Sequence, residues 1–177
     1  MADPIRVLLA DDHVLVRQGI RQFLEEAEGI KVLAEADDGS EAVRLVEESQ
    51  PDVAVLDIRM PKVTGVEATR RIKQHHPDVR VLILTAYDDD PYVFALLQAG
   101  ADGYVLKTAP SDALVQAVRD VYAGTAALSP TIATKVVRQM SQQRPGWATD
   151  QVEPLTEREI EVLRLAAHGM TNRELGR

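Results

Sequence analysis

Short apolar runs alternate with helical patterns over the first two thirds of the chain, and this alternation restricts the possible folds more than any other feature. The runs are short and rich in Val, Ile and Leu, which favours buried parallel strands. They lie at 5–10, 31–36, 53–57, 79–85 and 103–106. Apolar residues at helical spacing follow each run, over about 13–27, 40–49, 65–75, 91–100 and 111–124. Five strands alternating with five helices predict an α/β fold with a parallel sheet covered on both faces.

The order of the strands follows from connection rules and from the size of this segment. Right-handed crossovers leave few arrangements, and the size suits a doubly wound, flavodoxin-like (βα)5 domain with the strand order 2-1-3-4-5. We expect residues 1–124 to form this domain. A polar linker with a possible short helix near 131–140 would follow over 125–154, and a further helical segment over 155–177. Ligands of such folds bind beyond the carboxyl ends of the strands, so chemistry is expected there.

Charged and hydroxyl side chains follow four of the predicted strands: Asp11 and Asp12 after strand 1, Asp57 in strand 3, Thr85 in strand 4 and Lys107 after strand 5. These four strands are adjacent in the predicted order. Packed carboxylates repel one another unless a cation offsets their charge, and oxygen ligands without cysteine favour Mg2+. A carboxylate between a metal and a lysine is placed to act as a nucleophile, with the hydroxyl and the ammonium binding phosphoryl oxygens. Taken singly, such an Asp is as often a helix cap or turn former, and Lys107 a solvated surface residue.

The composition excludes several classes of protein. The chain has no cysteine, which excludes disulfides and thiolate metal sites. No apolar run approaches the roughly 18 residues of a membrane span, and we see no leader peptide, so we expect a cytoplasmic protein without membrane association. The net charge of -8 is uneven, because residues 1–126 hold 13 Lys+Arg and 22 Asp+Glu whereas residues 127–177 hold 7 and 6. This argues against nucleic-acid binding over the whole surface but leaves room for a DNA-reading module near the end.

The residues at the strand ends form a pattern that resembles the receiver domains of two-component response regulators. The resemblance covers residues 5–123. It rests on Asp11-Asp12, on VLDIRMP at 55–61, on Gly65, on Thr85-Ala86 and on AGADGYVLK at 99–107. It implies that Asp57 is the phosphoacceptor, that a sensor histidine kinase is the phosphodonor and that Mg2+ is the cofactor. By the same resemblance, Asp57 and Asp12 bind the metal directly, Asp11 does so mainly through water, and the backbone carbonyl of Arg59 completes the protein ligands.

The resemblance also implies a switch. Its phosphate-binding and switch residues are Thr85, Ala86, Tyr104 and Lys107. Phosphorylation would draw the Thr85 hydroxyl inward, and Tyr104 would rotate into the space that it leaves; the alternative for Tyr104 is an ordinary half-buried strand aromatic. Arg59 and Tyr87, two residues beyond the acceptor and the threonine, would set the lifetime of the phosphate, and their bulk predicts slow hydrolysis.

Two positions near the acidic pattern are ambiguous. His13 is expected to be a solvated residue at the start of a helix, and the alternative places it at the mouth of the acidic site. Many receivers have proline directly after the lysine, whereas this chain has Lys107-Thr108-Ala109-Pro110. A cis bond after Lys107 would be a costly non-proline one, so the geometry of that loop stays open.

The last segment begins with a helix start signal, Thr156 with Glu159 three residues later. From periodicity alone it is a helix hairpin. Residues 155–175 nevertheless resemble the opening of a LuxR-type helix-turn-helix domain, which together with the receiver pattern indicates the NarL/FixJ class of response regulators. In that domain the base-reading helix follows the one that begins at Thr171. We therefore expect a full-length parent that binds promoter DNA, and no DNA binding by this chain, which ends at Arg177.

The leading interpretation is thus a phosphorylation-controlled transcription regulator that forms a homodimer on activation, through helices 1 and 5 or through helix 4, strand 5 and helix 5. It would be a phosphoacceptor that assists its own phosphorylation and dephosphorylation rather than a conventional enzyme. One alternative is a stand-alone receiver that acts by protein contacts. A haloacid-dehalogenase-type phosphatase is disfavoured, because Arg59 occupies the position of its second acid. A nucleotide- or flavin-binding protein is disfavoured because no glycine-rich loop follows strand 1.

Overall fold

The computed structural model describes residues 3–86 and 90–142, and these contain six strands and six helices. The strands are β1 (Ile5–Ala10), β2 (Ile30–Ala36), β3 (Val53–Leu56), β4 (Arg80–Thr85), β5 (Gly103–Leu106) and β6 (Ala127–Leu128). The helices are α1 (Val14–Glu26), α2 (Gly39–Ser49), α3 (Gly65–His75), α4 (Asp90–Gln98), α5 (Ser111–Tyr122) and α6 (Pro130–Gln142). The five strands and five helices expected over residues 1–124 are all present, with ends that differ by one or two residues.

The sheet has the order β2-β1-β3-β4-β5-β6, and every neighbouring pair is parallel. The predicted order 2-1-3-4-5 is therefore confirmed, and the sheet continues by one strand beyond the predicted five. A sixth strand, expected to be linker, pairs Ala127 with Gly103 and Leu128 with Tyr104. Two residues are too short to show an apolar period, so the sequence carried no signal for β6.

Helices cover both faces of the sheet. Helices α1 and α5 pack on one face, where Leu24 and Val118 are fully buried. Helices α2, α3, α4 and α6 contribute to the core of the other face, where Ile132 of α6 is fully buried in the same cluster as Tyr104. Every residue of β3 is buried, as expected of a central parallel strand. The helix predicted near 131–140 thus forms, and its N-terminal half belongs to the core of the α2–α4 face.

Two helices on that face begin at side-chain caps that the sequence encodes. Asp38 accepts a hydrogen bond from the backbone amide of Glu41 at 2.8 Å, and Thr64 accepts one from the amide of Glu67 at 3.3 Å. Such caps satisfy amides that the first turn of a helix leaves unpaired. They fix where α2 and α3 start, just beyond the carboxyl ends of β2 and β3.

The contacts within the chain divide it into two compact units, residues 1–137 and 138–177. The described part of the second unit is 138–142, the end of α6. The predictions for 155–177, together with the capping box at Thr156, lie outside the described residues. No helix among the described residues is long and apolar enough to cross a membrane.

Candidate metal and phosphoacceptor site

The carboxyl ends of four adjacent strands bring the predicted acidic residues together. Asp11 directly follows β1 and Asp57 directly follows β3, and these strands pair in register up to Ala10 and Leu56. The backbone amide of Asp57 donates to the carbonyl of Ala10 at 2.9 Å, which keeps the two strand ends side by side. Across the sheet, the amide of Lys107 donates to the carbonyl of Thr85 at 2.7 Å. The topology therefore produces the cluster expected from the sequence.

Lys107 is the counter-charge of two buried carboxylates. Its Nζ lies 2.5 Å from Oδ2 of Asp11 and 3.2 Å from Oδ2 of Asp57. Asp11 and Asp57 are both buried, with 1% and 5% of their surface exposed. Burial lowers the pKa of Lys107, but its contact with Asp11 and the charge of Asp57 outweigh this, so that its pKa is raised. Lys107 is therefore held as an ammonium beside both acids.

The charge of Asp57 is incompletely compensated. Burial raises the pKa of this carboxyl and the charge of Asp11 raises it further, while Lys107 and the amide of Ile58, which donates at 2.8 Å, act against them. The net direction is upward. Oδ2 of Asp11 contacts the same Lys107 ammonium, so two buried carboxylates share one cation. A site with these properties is stabilised by a further cation.

The donor set and the space fit a hard divalent cation. Ligand atoms of Asp11, Asp12, His13 and Asp57 all lie within 4.8 Å of one another. Three of these residues border a cavity of about 430 Å3 that opens to solvent. It is lined by Asp12, His13, Val16, Asp57, Arg59, Ala86 and Lys107. Carboxylate and carbonyl oxygens are the ligands that Mg2+ prefers, and the open cavity leaves room for the waters or phosphate oxygens that complete its shell. The residues present therefore fit Mg2+, the ion that receiver domains bind at an acidic pocket.

The predicted switch residues lie on one face of the sheet. Thr85 and Tyr104 have no exposed surface. In the β4–β5 register, Tyr104 pairs with Ile83 and Leu106 pairs with Thr85. Because alternate residues of a strand face the same side, the side chains of Thr85 and Tyr104 project from the same face of the sheet, offset by two residues on adjacent strands. Tyr104 is more deeply buried than the half-buried aromatic of the alternative interpretation. This placement is compatible with the switch, whose residue roles stay predictions.

Of the remaining predicted positions, Arg59, Ala86 and His13 lie among the described residues and Tyr87 does not. Ala86 and Arg59 are exposed at the cavity. Tyr87 lies outside the described residues. The described residues contain no cis peptide bond, so the bond after Lys107 is trans. His13 is exposed, with 68% of its side chain accessible, as expected of a helix start, but its Nδ1 also lies 2.9 Å from Oδ1 of Asp12 and 3.3 Å from Oδ1 of Asp11.

The sequence did not predict two contacts at the edge of the acidic site, made by Arg17 and Arg59. Nη1 of Arg17 donates to the backbone carbonyl of Asp11 at 2.5 Å, while its Nε lies 3.4 Å from Oε1 of Glu35. The guanidinium of Arg59 lies over the ring of Tyr92 in α4, 5.9 Å from the centroid. The contacts of Arg17 with Glu35 and of Arg59 with Tyr92 join residues far apart in the sequence. In the sequence both arginines resemble ordinary solvated residues, so no local pattern indicates these contacts.

Comparison with known proteins agrees with this geometry. A family model of the response regulator receiver domain matches residues 7–119. The transcriptional regulatory protein LiaR of Bacillus subtilis is 41% identical over 172 residues, which are 97% of this chain and 81% of LiaR. A LuxR-family two-component response regulator from Aurantimonas sp. SI85-9A1 is 40% identical with a TM-score of 0.74, over 78% of this chain and 99% of that structure. ChrA, the response regulator of a heme-sensing two-component system, is 38% identical with a TM-score of 0.66, over 98% of this chain and 80% of ChrA.

The receiver match over residues 7–119 and the 41% identity to LiaR over 97% of this chain identify the family of this chain. Response regulators are phosphoacceptors that a kinase phosphorylates, and the strand-end acids found here are arranged for that chemistry. The chain belongs to the response regulators of two-component systems, in the LuxR-type group that regulates transcription.

Proposed function

We propose that Asp57 accepts a phosphoryl group from the phosphohistidine of a sensor histidine kinase. Mg2+ would be held by Asp12, Asp57 and the backbone carbonyl of Arg59, with Asp11 acting mainly through water. The observation that carries this proposal is the placement of Asp57 between the Lys107 ammonium at 3.2 Å and the remaining acids of the cluster. The bound cation supplies charge neutralisation and orients the phosphoryl oxygens.

In the proposed reaction an Asp57 carboxylate oxygen attacks phosphorus. The new O–P bond forms as the P–N bond of the donor breaks, and the imidazole leaves with a proton from solvent. The transferring group carries negative charge on its equatorial oxygens, so fixed donors aimed at them lower the barrier. The Lys107 ammonium, the Thr85 hydroxyl and the backbone amide of Ala86 are the donors that the strand ends offer. Lys107 is best placed, because it already contacts Asp57.

We propose that Thr85 and Tyr104 convert the added charge into a change of shape. Both are fully buried on the α2–α4 face, on neighbouring strands. A hydroxyl drawn toward phosphoryl oxygens leaves a void that the tyrosine ring can fill, and close-packed interiors respond to such a void by a discrete repacking. Arg59, at the cavity mouth and over Tyr92, would shield the phosphate from attack by water and lengthen its lifetime together with Tyr87.

We assign the receiver to residues 1–124, the linker to 125–154 and the beginning of a LuxR-type helix-turn-helix domain to 155–177. The output would be promoter binding, in which the recognition helix of such a domain reads the bases. Relatives support this assignment, because the match to LiaR extends over 81% of that transcriptional regulatory protein.

Activation would involve a homodimer, and the surface of α1 and α5 is the better of the two candidates. Leu15 is 82% exposed, Val14 53% and Phe23 47%, all on α1. Leu15 and Phe23 also border a cavity of about 270 Å3 between α1 and α5, which Leu114 lines from the other side. Clustered exposed apolar side chains of this kind mark interaction surfaces.

Intact-mass measurement tests the central step. The chain is incubated with Mg2+ and acetyl phosphate beside an Asp57→Ala variant, and beside samples without Mg2+. We expect one phosphoryl adduct that needs Mg2+ and disappears in the variant. A folded, Mg2+-binding sample that forms no adduct, or an adduct that persists in Asp57→Ala, contradicts the assignment of Asp57.

A further inference from the structure

A short loop carries Asp11 and Asp12 into the candidate metal site. It connects β1, which ends at Ala10, to α1, which begins at Val14. The backbone amide of Asp11 donates to the carbonyl of Ala36 at 3.1 Å, which fixes the amide side of that residue. The carbonyl of Asp11 belongs to the planar peptide unit that it shares with Asp12. The direction of this carbonyl therefore determines how Asp12 leaves the strand.

A largely buried guanidinium binds that carbonyl. Nη1 of Arg17, near the start of α1, donates to the backbone oxygen of Asp11 at 2.5 Å. The side chain of Arg17 is 16% exposed. A hydrogen bond from a charged donor is roughly twice as strong as one between neutral groups, and a planar guanidinium presents its donors in a fixed fork. The contact is therefore strong and directional enough to set the orientation of the peptide between Asp11 and Asp12.

Glu35 anchors this guanidinium to the sheet. It lies on β2 directly before Ala36, whose carbonyl binds the amide of Asp11. Its Oε1 lies 3.4 Å from Nε of Arg17, and its Oε2 lies 2.6 Å from Nη1 of Arg21. Arg17 thus spans the distance from a carboxylate on β2 to the carbonyl that follows β1, and it joins α1, the sheet and the acidic loop through one side chain.

The charge of Arg17 by itself does not favour a cation in the site. A guanidinium beside the acidic cluster repels a divalent ion and, like Lys107, offsets part of the negative charge that attracts it. A purely electrostatic effect would therefore make Mg2+ bind more tightly once Arg17 is removed. Correct placement of Asp12 has the opposite effect, because the partners that orient metal ligands contribute about 10- to 100-fold to affinity.

We propose that Arg17 is a positioning residue of the phosphoacceptor site, which orients the Asp12 carboxylate by binding the carbonyl of Asp11. The inference rests on the proposed function, because it concerns the loop that would hold Mg2+. The side chain of Asp12 is 34% exposed, whereas those of Asp11 and Asp57 are 2% and 6% exposed. Packing therefore constrains Asp12 least of the three acids, and its placement depends most on the backbone that Arg17 holds.

Calorimetric titration with Mg2+ tests the proposal on Arg17→Met, which keeps an unbranched stem and removes the guanidinium. We expect this variant to bind Mg2+ more weakly than the wild type by about tenfold or more. Arg21→Met is the matched control, because Arg21 lies on the same helix and binds the same Glu35. As an exposed ion pair, it should change the affinity by less than about threefold. Unchanged or tighter Mg2+ binding by Arg17→Met, or equal losses in both variants, overturns the proposal.

Arg17→Lys separates the charge from the hydrogen bond. A lysine retains the positive charge and can donate to the carbonyl of Asp11, but it lacks the planar fork that also reaches Glu35. We expect Mg2+ to bind Arg17→Lys more tightly than Arg17→Met and less tightly than the wild type. Repulsion by charge alone predicts the reverse order for the two variants, so binding by Arg17→Lys that equals or is weaker than binding by Arg17→Met contradicts the positioning role.

Thermal unfolding distinguishes positioning from simple stabilisation of the fold. A ligand of the folded protein raises the melting temperature according to its affinity, so a fixed Mg2+ concentration should raise that of Arg17→Met less than that of the wild type or Arg21→Met. A merely structural role lowers the melting temperature equally with and without Mg2+, and that result overturns the proposal. Failure here is distinguishable from failure of the proposed function, because the Mg2+-dependent adduct on Asp57 of the wild type tests the phosphoacceptor independently of Arg17.

Discussion

Replacing Gly65 by alanine tests the contact between the start of α3 and the backbone of the proposed phosphoacceptor. Gly65 is the first residue of α3, and its amide donates to the carbonyl of Ile58 at 2.8 Å. A Cβ added there would lie 2.2 Å from the backbone oxygen of Asp57 and 2.8 Å from Cα of Ile58. Both obstacles are backbone atoms, so no rotamer change can relieve them.

The size of the effect follows from the shift that is needed. A comfortable contact requires the Cβ and the Asp57 oxygen to separate by about 1 Å more, which moves either α3 or the segment that carries Asp57; overpacking of this kind costs about 1–3 kcal/mol and occasionally more. We expect a loss of about 2–3 kcal/mol in the free energy of unfolding, since a rigid strand end and a helix start must separate. That loss corresponds to a melting temperature lower by about 4–12 °C for a chain of this size.

The chain offers a matched control with the opposite expected sign. Gly19 lies inside α1, and an added Cβ there meets nothing within 4 Å. Alanine is favoured over glycine in a helix interior by about 0.5–1 kcal/mol, so Gly19→Ala should stabilise the fold. Thermal unfolding followed by circular dichroism measures both variants, and intact mass after acetyl phosphate measures Asp57 in each. Unchanged stability and unchanged phosphorylation of Gly65→Ala would refute the contact on which this reasoning depends.

Three further predictions concern the rim, the linker helix and acid stability. Tyr92→Leu removes the aromatic face under the Arg59 guanidinium and should shorten the half-life of the aspartyl phosphate, whereas Tyr92→Phe should preserve it; equal half-lives in all three proteins would exclude a shielding role. Ile132→Ala empties a fully buried position of α6, at a cost of about 2–5 kcal/mol, and should increase amide hydrogen exchange in α6 more than in β3; unchanged exchange would show that α6 does not depend on this contact. Burial raises the pKa of Asp52, but its hydrogen bonds and charge interaction with Arg6 outweigh this and hold that pKa below its ordinary value. The stabilisation is therefore present above the unfolded-state pKa and is lost as the pH falls through the lower folded-state value, so the free energies of unfolding of the wild type and Arg6→Gln should differ at pH 6 and converge at acid pH.

The sequence predicted the parallel sheet well because its signals are local and repeated. Each buried strand is a run of apolar residues, and each helix repeats its apolar pattern over about three turns. The presence of these strands and helices, and their order along the chain, could therefore be predicted without knowledge of long-range contacts. The sixth strand, Ala127–Leu128, is formed only because β5 offers an unpaired edge at Gly103 and Tyr104. That edge is a property of the folded sheet, and no pattern within two residues encodes it.

The same distinction separates the predicted from the unpredicted parts of the site. Asp11, Asp57 and Lys107 follow strands directly, so knowledge of the strand order was enough to place them together. The distances of Lys107 Nζ from Asp11 (2.5 Å) and Asp57 (3.2 Å), and the raised pKa of Asp57, depend on burial and on the exact strand register. These could be obtained only from the structure. The role of Arg17 on the Asp11 carbonyl joins a helix to a strand end through a flexible side chain, which sequence spacing does not record.

The charges of the site explain why a receiver of this kind responds to one phosphoryl group. Asp11, Asp12 and Asp57 bring three negative charges against the single ammonium of Lys107, which leaves two to be balanced by a divalent ion. A phosphoryl group adds about 1.5 to 2 negative charges where one carboxylate charge is used, so the balanced site becomes anionic again after transfer. The adjoining strand end offers one uncharged donor, the hydroxyl of Thr85, which is buried and therefore cannot be replaced by solvent without repacking. Tyr104 shares its face of the sheet and its buried cluster with Ile132 of α6. We therefore predict that a repacking that begins at Thr85 would reach α6.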